Sequence, residues 1–266
     1  MHPGSEFRSY TLTAGGNPFE ELFASVRFEP VGKGRLGAVL VGTGETGDVP
    51  IVRTTTRYSL PAQRFPPVYE RLARQVQACA ALPAAFNNAL VESYTNAYTT
   101  MGGHSDQALD LADGSSIAVF SCYERPEVHP PRKLVVEPKE PGGATYEIPM
   151  PHNGVIVFSL DTNRRHRHRI MLDRPAQMPE NRWLGVTLRT SKTFVQYHGD
   201  HAHLRNGAHL TSADDAQQHE FFLLRRRENT ETAFTYPPLT YTLSDSDLLP
   251  PLTNPTGNRQ VDGQMR

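Results

Sequence analysis

Apolar side chains fall along this chain in short runs broken by Gly, Pro and polar stretches, the pattern of a protein built mainly from strands. Residues 37–41, 51–58, 90–98, 116–123, 145–149, 154–160 and 183–195 are expected to be extended, and 116–123, dense in β-branched and aromatic residues, is expected to be buried. One segment carries a clear helical period. Over 66–81, Val68, Leu72, Val76 and Ala80 recur at every fourth position, with Glu70, Arg71 and Arg74 facing away. A short helix or turn is expected at 83–86 and a second helix at 216–227. Residues 126–145, rich in Pro and Lys, predict an exposed loop or hairpin; 196–215 predict a polar, His-bearing insert; and 236–249 are patterned enough to pack on the core. Many short strands with few helices imply a mainly β domain with flanking helices, a sandwich or open barrel.

Composition adjusts this picture in a few places. A chain of 266 residues with 38% hydrophobic and 21% charged residues buries a sizeable core. The opening MHPGSEF reads as vector-derived, so residues 1–7 are set outside the fold. A single domain is then expected over 8–250. Its core is 86–195, an N-terminal support or lid is 17–85, a C-terminal extension is 196–250, and 251–266 form a flexible tail. The net charge of -1 gives no support for an extensive nucleic-acid surface, leaving Arg132-Lys133 and Arg225–Arg227 as local basic candidates. Cys79 and Cys122 lack metal spacing and point to a reducing, cytoplasmic or similar compartment. No apolar run is long enough to span a bilayer, so no membrane partner is expected. The oligomeric state is left open.

The chemistry concentrates around His104-Ser105-Asp106. The preceding Met101-Gly102-Gly103 suits a sharp bend, and in an extended segment His104 and Asp106 project to one side. A third ligand would come from His168 or His166; His168 is preferred because Ile170 follows as the chain re-enters an apolar run, whereas Arg164, Arg165 and His166 read as a solvated turn. Two imidazoles and a carboxylate cover one face of an octahedral Fe(II) and leave positions for a chelating 2-oxo acid and dioxygen. Arg189, in Thr187-Leu188-Arg189-Thr190-Ser191, would hold a carboxylate of that acid. His198, His201, His203 and His209 form a second histidine group. With no apolar frame around them, the rim of an entrance is favoured over a metal site.

Taken together and in this order, these segments resemble the Fe(II)- and 2-oxoglutarate-dependent dioxygenases, and among them the AlkB-like branch. The likeness rests on Asn96-Ala97-Tyr98 ahead of His104-Ser105-Asp106, on the strand 117–123, on 152–158, on His168-Arg169-Ile170 and on WLGVTLR at 183–189. It covers about half the chain. It implies a double-stranded β-helix (jelly-roll, cupin-like) core, and His104, Asp106 and His168 as catalytic metal ligands. It also implies Fe(II), 2-oxoglutarate and dioxygen as cofactors, with Asn96, Tyr98, Arg182, Arg189 and Ser191 around the co-substrate. The expected outcome is hydroxylation or oxidative demethylation of an alkylated nucleobase; the alternatives are a small-molecule or amino-acid hydroxylase on the same fold and a non-catalytic binding relative. Two departures matter. The turn before His104 is short, and Arg182 and Arg189 have opposite parity, so Trp183 stands where the family has its second arginine. A bulge near Gly185 would restore the alignment; without one, only Arg189 reaches the co-substrate.

Overall fold

The computed structural model describes residues 6–13, 15–42, 44, 47–129, 131–199 and 201–252. In chain order its strands are β1 (Phe7–Thr11), β2 (Glu29–Gly32), β3 (Arg35–Val41), β4 (Val49–Pro50), β5 (Gln63–Arg64), β6 (Asn88–Tyr94), β7 (Ser116–Tyr123), β8 (Lys133–Pro138), β9 (Tyr146–Pro149), β10 (Gly154–Ser159), β11 (His166–Met171), β12 (Trp183–Arg189), β13 (Phe194–His198), β14 (His201–Leu204), β15 (His209–Ser212) and β16 (Tyr241–Thr242). The helices are α1 (Phe19–Ala24), α2 (Pro67–Cys79), α3 (Leu160–Arg165) and α4 (Asp215–Thr230).

A large sheet runs β1-β10-β7-β12-β6-β3-β2, with β5 beside β3, and a small sheet runs β11-β8-β9. This is the mainly β jelly-roll arrangement. Alternation along β12 shows how the layers form. Leu184, Val186 and Leu188 face one side and join Leu40, Val91, Phe120 and Val157 beneath α1 and α2, which contribute Phe19, Leu22, Tyr69, Leu72 and Val76. Trp183 faces the other way and joins Tyr94, Ile117, Phe158, Leu134, Val136 and Ile170 between the two sheets. A third sheet, β16-β15-β14-β13-β4, carries the C-terminal extension. None of the described helices is long and apolar enough to cross a membrane. Cys79 is exposed, Cys122 is buried, and both are free.

Several expectations are corrected. Phe7 belongs to the fold: it opens β1, pairs with Phe158 and is buried. Glu6, also from the presumed vector segment, pairs with Arg165, while residues 1–5 lie outside the described residues. Leu252, assigned by sequence to the tail, donates to the Ala62 carbonyl and accepts from Arg64, while 253–266 lie outside the described residues. Residues 51–58 form no strand, because Arg53 turns its N–H to the Asp110 carboxylate instead of a neighbouring strand. Of the helix or turn expected at Pro83 to Phe86, the chain makes only a bend. The Pro-rich stretch hides β8, the middle strand of the small sheet, and the polar insert is β13, β14 and β15.

A buried ion pair helps to fasten the extension. Arg53 grips Asp110 at 2.7 Å, with side-chain exposures of 3% and 0%, and donates to the carbonyls of Leu239 and Tyr241. The pair joins the 51–58 segment, the loop after Asp106 and the C-terminal segment at one point. Replacing Arg53 by Met leaves a buried carboxylate unpaired, and urea unfolding should show a loss of about 3–5 kcal/mol. A loss below about 1 kcal/mol would mean that the extension is held by other contacts.

Candidate metal centre and cavity

His104 lies outside the named strands, yet it pairs with β11. Its N–H donates to the His168 carbonyl at 3.0 Å, and His168 N–H returns a bond to the His104 carbonyl at 2.7 Å. A hydrogen-bonded antiparallel pair puts both side chains on one face at short range, and the ring centroids are 4.9 Å apart. Asp106, two residues on, completes the group. Its Oδ1 is 3.8 Å from His104 Nε2 and 3.6 Å from His168 Nε2. Among the described residues this is the one group of three or more His, Cys, Asp or Glu whose ligand atoms gather within 4.8 Å of one another.

The other atoms of the triad are oriented for that convergence. Arg189 Nε and Nη2 both donate to Asp106 Oδ2 at 2.8 Å, leaving Oδ1 turned to the imidazoles. Burial by itself raises the Asp106 pKa, but Arg189 and then His168 outweigh it and hold the carboxyl well below the usual carboxylate range. His104 Nδ1 meets the Gly102 carbonyl at 2.9 Å, which as N–H donor fixes the tautomer with Nε2 free. Burial, followed by His168 and Arg225, pushes the His104 imidazole down to about 3, so it is neutral, as a ligand must be. The donor set, two imidazole nitrogens and one carboxylate oxygen on a single face, fits Fe(II) with open positions.

Sequence reasoning missed the residues that hold this loop. Asn163, fully buried on α3, accepts from Asp106 N–H and donates to the Asp106 carbonyl, both at 2.7 Å. From α4, Asn229 accepts Ser105 N–H at 3.0 Å, Arg225 donates to the Ser105 carbonyl, and Glu228 accepts Ala108 N–H at 2.7 Å. Polar residues on a helix read as a solvated face, so only their burial reveals the role; Arg225, a basic candidate by sequence, is turned onto this loop.

The triad opens into a cavity of about 420 Å³ whose walls include Arg35, Glu92, Tyr98, Gln107, Thr187, Arg189, Phe222 and Arg225. Tyr98 and Arg189 thus line the cavity, and three other residues named from the sequence do not. Arg182 binds Glu124 at 2.5 Å and lies over Phe19 and Phe23 on the opposite side of the sheet. Parity put it there, because β12 pairs with β6 and β7 in unbroken register and has no bulge at Gly185. Asn96 ties its loop to Pro179 and Glu180. The Ser191 hydroxyl donates to the Ile51 carbonyl at 2.6 Å. None of the three lines the cavity. His166, the rival ligand, is buried away from the triad, with Nδ1 3.0 Å from the Thr162 carbonyl and its ring edge-on to Phe7.

The profile of the 2OG-Fe(II) oxygenase superfamily matches residues 38–194. The chain belongs to that superfamily, and it is a 2-oxoglutarate-dependent dioxygenase using Fe(II), 2-oxoglutarate and dioxygen. No curated protein matches it. Among solved structures, that of OsALKBH1 aligns over 59% of this chain and 78% of its own, with a TM-score of 0.40 and 12% identity.

His104→Ala, Asp106→Ala and His168→Ala should each weaken Fe(II) binding by at least roughly 100-fold in anaerobic equilibrium dialysis, since loss of a mere outer partner costs 10- to 100-fold. His166→Ala should bind normally. Tight binding by any of the first three variants would contradict the ligand set.

Proposed function

We propose that this dioxygenase hydroxylates a small polar molecule, and demethylates it where the oxidised carbon is bonded to nitrogen, with His104, Asp106 and His168 as the iron ligands. The observation that carries the substrate class is inside the cavity. Gln107 is buried on the cavity wall with neither amide atom hydrogen-bonded. Unpaired buried polar atoms cost about 1–3 kcal/mol, so they belong opposite a ligand with matching donors and acceptors. The Asn96-x-Tyr98 step ahead of His104-x-Asp106 supports kinship with the AlkB-like branch. A nucleic-acid substrate is disfavoured because four of the five basic candidates are already engaged. Arg132 is buried on the carbonyls of Tyr98 and Thr95, and Lys133 pairs with Glu147 and Asp173. Arg225 pairs with Glu228 and Arg227 with Glu231.

When bound, Fe(II) with 2-oxoglutarate and dioxygen replaces a substrate C–H by C–OH while the co-substrate is decarboxylated to succinate. The side chains hold both reactants. Arg189, tied to Asp106, receives a carboxylate at the metal end. The far carboxylate needs another cation, and on β12 its place is filled by Trp183, whose ring covers Gly185 so closely that an added Cβ would sit 2.0 Å from it. Arg35 takes that role. It is aligned with Tyr94 and Trp183 across β3, β6 and β12, and Glu92 holds its Nε at 2.8 Å. It also lies 5.8 Å from the Tyr98 ring. The buried Tyr58 hydroxyl beside this pair has no partner; burial and then Glu92 raise its pKa, which keeps it a neutral donor.

The Arg35→Gln/Glu92→Gln double variant removes both charges without leaving one unpaired. Calorimetry on the Fe(II) protein should show 2-oxoglutarate binding weakened about 10- to 100-fold, the equivalent of a lost charged hydrogen bond. Arg182→Ala should have no effect, and the reverse order would overturn the assignment of Arg35. For the substrate, succinate release should be stimulated by a small-molecule extract and not by alkylated oligonucleotides. Stimulation by oligonucleotides, with salt-sensitive retention on a DNA or RNA column, would replace this reading by base repair.

A further inference from the structure

A second group of imidazoles lies on the solvent-facing side of the C-terminal extension. Strand β14 reads His201-Ala202-His203-Leu204, a strict alternation. Ala202 packs with Ile51, Val195 and Leu210, so both histidines of β14 point outward. The neighbouring strands add one each. His198 of β13 stands opposite His201, and His209 of β15 stands opposite His203. Four of the chain's 11 histidines thus share one face of three adjacent strands.

The rings are already close. His203 and His209 have centroids 4.1 Å apart, His201 lies 5.5 Å from His209 and 6.5 Å from His203, and His198 lies 5.5 Å from His203. Only His203 is partly buried; the other three are exposed, and His198 Nε2 lies 3.4 Å from Gln196 Oε1. Their nitrogens are not gathered as tightly as those of the triad. The strands, however, fix the Cβ positions of cross-strand partners at about 4.5–5.5 Å. The proposal requires the rings to turn from there until their nitrogens share an ion at about 2.0–2.1 Å.

We propose that His203, His209 and His201, with His198 as a fourth donor, form a site for a divalent ion that prefers nitrogen ligands, represented by Zn²⁺. An all-imidazole set suits Zn²⁺, Cu²⁺ or Ni²⁺. The site is separate from the catalytic centre in sequence and in ligand type, since it has no carboxylate. A bound ion would staple β13, β14 and β15 together, and β15 leads directly into α4, whose Asn229, Arg225 and Glu228 hold the His104–Ala108 loop.

Calorimetric titration with Zn²⁺ tests this on the full chain and two variants. His104→Ala/His168→Ala disables the catalytic centre; His203→Asn/His209→Asn disables the hairpin patch, and its circular dichroism and urea unfolding check that the fold is kept. The catalytic-centre variant should still bind one equivalent, with its melting temperature raised by Zn²⁺. The hairpin variant should lose that equivalent and keep the other. The proposal fails if the catalytic-centre variant binds no Zn²⁺, or if the hairpin variant binds as many equivalents as the parent chain.

Discussion

Two backbone hydrogen bonds, exchanged between His104 and His168, are the constraint on which the centre depends. They fasten a loop outside the named strands to β11, the edge strand of the small sheet, and in doing so bring two imidazoles onto one face. A metal site built from side chains alone would pay the ordering entropy of each ligand separately. Here the backbone bridge has already met much of that cost, and a third ligand, Asp106, follows two residues later on the same side.

Everything around the bridge serves to keep that loop in place. Asn163 exchanges two bonds with the Asp106 backbone, α4 holds Ser105 and Ala108, and Asp110 at the end of the loop is locked to Arg53. Arg189 turns the Asp106 carboxylate by claiming one oxygen. The extension, which looks peripheral in sequence, is therefore part of the active-site scaffold, because both α4 and the strand beyond it are tied to this loop. That organisation explains why a chain with a near-neutral net charge places so many arginines near its centre: they bind carboxylates and carbonyls of the protein itself.

The proposed metal ligands were legible because they obey local rules. The period of two in an extended segment put His104 and Asp106 on one side, and the same rule put Arg182 and Arg189 on opposite faces of β12. What could not be read was set by distant partners. Arg35 and Glu92 are far apart in sequence and meet only because β3 and β6 are neighbours. Arg132 sits in a Pro-rich stretch that reads as solvent-exposed, yet it is buried against Tyr94 and Trp183. Asn163 and Gln107 are ordinary polar residues until their burial is known. Strand β8 was hidden for a similar reason, since its apolar run Leu134–Val136 lies among Pro and Lys residues. Three co-substrate assignments, Asn96, Arg182 and Ser191, were displaced because these residues tie loops together or face the other side of the sheet.

The central claim is that His104, Asp106 and His168 hold Fe(II) with room for a chelating 2-oxo acid. The most direct measurement is an anaerobic titration of the metal-free protein with Fe(II) and then 2-oxoglutarate, followed by visible absorption. The account predicts a weak visible band that appears only when the co-substrate joins the iron and saturates at one equivalent of each. Absence of the band, with no tight binding of Fe(II), would contradict it.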